Sequence, residues 1–177
     1  FILHTNSPYY GTIDIWNVSQ ITDMSGVFMD TSFNEFINKW DTSNVTTMAN
    51  MFKNNTAFNK ELVQWDTSSV IDMSSMFEGA TSMNSDISFN CSSVTNMSNM
   101  FKDATSMNSD ISLNCSSVTN MSSMFEGATS INSSINLSNS TNLVNMSKMF
   151  KNATSFNGSI YIDTSSVTNL SNTFESA

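Results

Sequence analysis

Apolar residues along the chain fall at i, i+3, i+6, i+7 and i+10 and then switch to alternation, and the composite pattern returns every 24 or 25 residues. In the stretch 70–93 the first set is Val70, Met73, Met76, Phe77 and Ala80, the spacing of one face of a short helix. Ser68 and Ser69 stand ahead of it, and Asp72 follows Ser69 by three residues as a weakened capping box. Gly79 and Gly127 loosen the exit in alternate units. Met83, Ile87 and Phe89 then alternate as a short strand. The pattern therefore predicts one short helix and one short strand per unit.

Units begin at Ile21, Val45, Val70, Val94, Val118, Leu143 and Val167. The expected organisation is a single solenoid domain, with an N-terminal half-repeat over 1–20, six full repeats over 21–166 and a C-terminal half-repeat over 167–177. One unit cannot fold alone. It offers roughly seven apolar side chains at about 2 kcal/mol each, against about 1 to 2 kcal/mol of backbone entropy for every residue fixed. Stacking supplies the missing burial, with rungs about 4.8 Å apart if strand pairs with strand. Equivalent residues must then form ladders, and Trp16, Trp40 and Trp65 give way to Phe89, Leu113, Leu137 and Ile162 along one of them.

The repeated pattern S-S-V-T-x-M-x-x-M-F-x-x-A-T-S-F-N-x-x-I, running from Tyr9 to Ala177, resembles the 25- or 26-residue repeat of bacterial and protist surface proteins of the BspA-like leucine-rich-repeat group. The resemblance implies an α/β repeat solenoid, a right-handed leucine-rich-repeat-like stack, secreted or surface-attached, with a role in adhesion and recognition. The Met-rich core, the single Pro and the lack of an anchor or signal depart from that group.

Composition narrows the partners. Six Lys, no Arg and fifteen Asp and Glu give a net charge of −9, so a nucleic acid partner and an anionic membrane surface are disfavoured. No run of 18 apolar residues predicts membrane insertion. The chain opens at Phe1 without an initiator Met or a basic segment, which reads as a removed signal or a piece of a longer array. One His, no Gly-rich phosphate loop and no carboxylate pair in an evident cleft leave catalysis without a foothold, and no cofactor is expected.

Several columns are candidates for a specific role. The position after the repeated Phe reads Lys53, Glu78, Lys102, Glu126, Lys151 and Glu175, a ladder of alternating charge expected to set register more than stability. Asn34, Asn59, Asn84, Asn108, Asn132 and Asn157 are expected to form an asparagine ladder of buried amides. Cys91 and Cys115 occupy one position in adjacent units, close enough for a disulfide if rungs stack at strand spacing, and equally a pair of small semi-buried thiols at a site that is Thr42, Thr67 and Thr164 elsewhere.

Asn-x-Ser/Thr sequons are dense; the candidates for glycosylation are Asn54 and Asn152, beside the charge ladder, and Asn96, Asn120, Asn145 and Asn169, which recur at one position. Asp41, Asp66 and Asp163 read as Asx-turn formers rather than Ca²⁺ ligands. The Met columns read as core rather than a soft-metal site. The expected function is non-enzymatic: an extracellular or cell-surface repeat protein that recognises a protein or glycan. The alternative is a structural subunit that stacks on further copies of itself end to end as a filament, suggested by the apolar Phe1, Ile2 and Leu3 and by a last repeat that stops after Phe174.

Overall fold

In a computed structural model of the chain the structure describes residues 12–177. Phe1, Ile2, Leu3, His4 and Pro8 lie outside the described residues. From Thr12 onward the chain winds as a stack of parallel rungs. Parallel bridges link Asp23, Thr47, Asp72, Asn96, Asn120, Asn145 and Asn169 in succession, one residue per rung.

The helix expected in each rung is not there; among the described residues the only helical segment is a 3-10 turn at Ile13–Ile15. The segment that carries Val, Met, Met and Phe is a string of tight turns instead. In the rung of Val45, Met51 donates its N–H to Met48 O, Lys53 to Asn50 O and Asn55 to Phe52 O, at 3.2, 3.1 and 2.9 Å. The amides between them leave the rung. An α-helix would direct the Phe52 N–H to Met48, four residues back; here it reaches Met76 O in the next rung at 2.8 Å. The same cross-rung bond is made by every stacked Phe from Phe28 to Phe150, at 2.8 to 2.9 Å.

The backbone is left-handed at two positions per rung, four residues apart. One column holds Asn50, Ser75 and Asn99, with φ of 59, 55 and 57°, and the other Asn54, Asp103 and Asn152, with φ of 55, 56 and 59°. A left-handed residue at the third place of a turn suits a type II turn and ends any helix. Gly, Asn and Asp tolerate that conformation and fill most of the two columns, with Ser75, Ser123 and Lys148 adopting it as well, whereas the Ser-, Thr- and Asn-rich segments around them are poor helix formers. In the turn string alternate amides bond within the rung and the others tie it to its neighbour, so both sets find backbone partners. The chain is thus not an α/β solenoid with a helix per rung, and the leucine-rich-repeat-like architecture is corrected with it.

The strand half is present in part. β1 (Ile111–Asn114), β2 (Ile135–Ser138) and β3 (Ile160–Ile162) form one parallel sheet in the order β1-β2-β3, with Ile111 beside Ile135 and Ile135 beside Ile160. Ile87 adds a single bridge to Ile111. Earlier rungs turn at this place: Trp40 donates its N–H to Ile37 O and Trp65 to Leu62 O, both at 3.1 Å. The cause is spacing. Two residues separate Ile37 from Trp40 and Leu62 from Trp65, but one separates Ile111 from Leu113 and Ile135 from Leu137. Two inward side chains with one residue between them suit a pleat; with two between them the chain must fold into a turn to bury both.

Inside the coil lies one continuous apolar core, from Ile13 to Ala153, with Phe156, Ile160, Ile162 and Val167 packed partly against it. Its axis is a phenylalanine stack: neighbouring rings of Phe28, Phe52, Phe77, Phe101, Phe125, Phe150 and Phe174 have centroids 5.3 to 5.5 Å apart. Trp40 and Trp65 stack at 6.4 Å with planes 2° apart, and their indole N–H groups donate to Ile13 O and Ile37 O in the preceding rung. Among the described residues no buried polar side-chain atom lacks a partner.

Candidate functional site

A core repeated in every rung leaves distinct chemistry to the outward columns. The asparagine ladder is on the outside, not buried as the sequence suggests: Asn34, Asn59, Asn84, Asn108, Asn132 and Asn157 are all exposed. From Asn34 to Asn132 each Oδ1 accepts the backbone N–H of the next Asn, at 2.7 to 3.0 Å. The column therefore pins one rung to the next along a turn, where the backbone would otherwise have only water to bond.

Of the charge column, the structure brings together Lys53 with Glu78, Nζ to Oε2 3.0 Å, and Lys151 with Glu175, Nζ to Oε1 2.8 Å. Lys102 stands 4.0 Å from Asp103 of its own rung, not on Glu126. The Lys151 hydrogen bond holds the Glu175 carboxyl below its ordinary range, with Asn172 adding to it, and Glu175 in turn raises the Lys151 ammonium.

Cys91 and Cys115 are both free and fully buried. They interrupt a column in which Thr42, Thr67 and Ser140 donate their hydroxyls to Asp66 O, Asn90 O and Asp163 O one rung on. Burial, with Cys115 adjacent, pushes the Cys91 thiol up, and burial pushes Cys115 up to about 12. Such thiols are poor nucleophiles at neutral pH.

The sequon residues fall into two settings. Asn54 and Asn152 are exposed and left-handed, with φ of 55 and 59°, and Asn54 Nδ2 donates to Asp30 Oδ1 at 2.8 Å. Asn96, Asn120, Asn145 and Asn169 form the bridged column, and each Oδ1 accepts the N–H two residues on at 3.0 to 3.1 Å. Asp41, Asp66 and Asp163 close Asx-turns by accepting the amides of Ser43, Ser68 and Ser165 at 3.2, 3.0 and 2.8 Å. Those serines hold all three carboxyls below their ordinary range, and at Asp41 the neighbouring Asp66 works against the shift.

The sequence places Tyr161 at an outward strand position but does not single out the large apolar Phe36 and Val63 that are also exposed on this half of the rungs. Phe36, Val63 and Tyr161 are 62%, 46% and 63% exposed, and Lys60 Nζ lies 4.7 Å from the centre of the Phe36 ring. Val63 and Tyr161 each follow the inward residue of their rung, Leu62 and Ile160. The alternation of the strand half carries the signal, since a bulky residue at an outward place breaks the Ser and Asn sequence of Ser88, Ser112 and Asn136. A cavity of about 640 Å³ at the first rungs is lined by Trp16, Ile21, Met24, Val27, Met29 and Trp40 among others.

Among the described residues no group of three or more His, Cys, Asp or Glu is placed to hold a metal ion, and no helix is long and apolar enough to cross a membrane. No curated protein and no solved structure matches the chain. A family model described as a Mycoplasma protein of unknown function, DUF285, matches residues 3–112 and again 88–177. The two matches together span nearly the whole stack of rungs, and the chain belongs to the DUF285 family.

Proposed function

We propose that the chain is a non-enzymatic recognition module of an extracellular or cell-surface protein, binding a protein or a glycan through the outer face of its strand half. The observation that carries this reading is the exposure of Phe36, Val63 and Tyr161 among polar and charged side chains, with Lys60 over the Phe36 ring. Exposed aromatic groups framed by hydrogen-bonding residues are what binding hot spots are made of. A rigid coil whose buried polar groups are satisfied holds such a face at little entropic cost on binding. The resemblance of the repeat to BspA-like surface proteins agrees with adhesion.

The test is binding of the full chain to arrays of immobilised glycans and of extracellular proteins. The parent should bind members of one class, and Phe36→Ser and Tyr161→Ser should each weaken that binding while leaving the melting curve in place. A parent that binds nothing on either array, or folded variants that bind as it does, would overturn the reading.

A further inference from the structure

The charged column and the column after it alternate together. Lys53-Asn54, Lys102-Asp103 and Lys151-Asn152 interleave with Glu78-Gly79, Glu126-Gly127 and Glu175-Ser176. The outer sequence thus repeats over two rungs while the core repeats over one.

The joints differ accordingly. A Lys rung precedes a Glu rung at three joints; Lys53 pairs with Glu78 at 3.0 Å and Lys151 with Glu175 at 2.8 Å, whereas Lys102 stands 4.0 Å from Asp103 of its own rung. At two of the three Lys-to-Glu joints, one ion-paired and one not, the Asx side chain lies over the glycine. Asn54 Oδ1 is 2.5 Å from the place a Cβ on Gly79 would take, and the Asp103 carboxylate overlaps the place of one on Gly127. The left-handed backbone does not by itself demand glycine there, because Asn54, Asp103 and Asn152 hold φ of 55, 56 and 59° in the same column. Crowding from the rung before does. No ion pair joins Glu78 to Lys102 or Glu126 to Lys151, although the Glu126 charge still helps to raise the Lys151 ammonium.

Rungs this alike carry a hazard. If one rung were looped out, or replaced by a rung from another molecule, Phe would still meet Phe and Met would still meet Met. The cores of rungs 94–117 and 118–142 differ only where Met107 and Cys115 are replaced by Ile131 and Ser140. The charge column tells them apart, because skipping a Glu rung sets Lys on Lys and skipping a Lys rung sets Glu on Glu. From this we infer that the two-rung alternation is a register code, which makes single-rung slips and exchanges unfavourable in a stack whose core would accept them. A favourable exposed pair is weak, but the code acts through the difference between attraction and repulsion, at the one joint that a skipped rung creates or the two that an exchanged rung creates, and specificity is such a difference.

Two full-length variants of identical composition separate the code from ordinary loss of stability. K102E/E126K sets like charges side by side at two joints. K53E/E78K/K102E/E126K/K151E/E175K reverses every charge and keeps the alternation. Each is unfolded, diluted to refold at low salt, and followed by light scattering on a sizing column and by hydrogen exchange. The full reversal should refold to the same single species as the parent. K102E/E126K should give a fraction of exchanged oligomers, or chains with one rung unprotected against exchange, and that fraction should shrink at high salt. The inference is overturned if K102E/E126K refolds as the parent does, or if the full reversal misfolds to the same extent.

Discussion

At the scale of single residues, the stack is held by side chains that replace missing backbone partners, and these can be removed one at a time. Asp41, Asp66 and Asp163 accept the amide two residues on, and all three carboxyls are held below their ordinary range. A folded-state pKa depressed below the unfolded one contributes stability above the unfolded value of about 4 and loses it as pH falls through the folded one. Thermal melts should therefore drop below about pH 4. In D41N/D66N/D163N that acid-sensitive part should shrink with little change at neutral pH, because Asn17 and Asn90 already make the same turn at the same place in other rungs. Gly127 makes a second test: it sits at φ 70° beneath Asp103, so Gly127→Ala should cost about 1 to 3 kcal/mol in urea denaturation. Removing the crowding side chain as well, in D103G/G127A, should return part of that loss. These residues were legible unevenly. The Asx-turns were readable from D-T-S, whereas the exposed side of the asparagine ladder was not, since a column repeated in every rung looks the same inside or out.

At the scale of the element, the apolar spacing read as a helix belongs to a string of turns, and both conformations bury the same side chains. Val45, Met48, Met51 and Phe52 are all fully buried. The core was therefore readable without its backbone. The missing sign was in the polar residues: one column reads Gly26, Asn50, Ser75, Asn99 and Ser123, the other Asp30, Asn54, Gly79, Asp103 and Gly127, four places later in each rung. Two recurring sites for left-handed residues four apart cannot belong to one helix. Likewise the change from Leu62-Val63-Gln64-Trp65 to Ile111-Ser112-Leu113 marked where turns give way to strands. Far-ultraviolet circular dichroism should accordingly lack the signature of helix. Asn99, with φ 57°, gives a sharper test: Asn99→Gly should be neutral within about 0.5 kcal/mol, whereas Asn99→Val should lose about 1 to 2 kcal/mol, measured by urea denaturation. A helix at this place would reverse the order, because glycine lowers helix stability more than valine does.

At the scale of the whole molecule, every rung touches only its neighbours, so stability travels along the stack through nearest-neighbour joints. The phenylalanine column makes this measurable, because one side chain type stands in different surroundings along it. Phe101 is fully buried between Phe77 and Phe125, with centroids 5.5 Å away on both sides. Phe174 touches Phe150 at 5.5 Å and is 55% exposed. Phe101→Ala removes a packed ring and leaves a cavity, which should cost about 3 to 5 kcal/mol. Phe174→Ala forfeits roughly half a side chain's burial and should cost about 1 kcal/mol. The shapes of the urea transitions should differ as well. Loss at the last rung frays one end and leaves a single transition. Loss at Phe101 weakens both joints of a middle rung, so the rungs before and after it should begin to unfold separately, and hydrogen exchange should show two blocks with different midpoints. Equal losses at the two positions, or a single sharp transition for Phe101→Ala, would mean that the core behaves as one indivisible body and not as a column of coupled rungs.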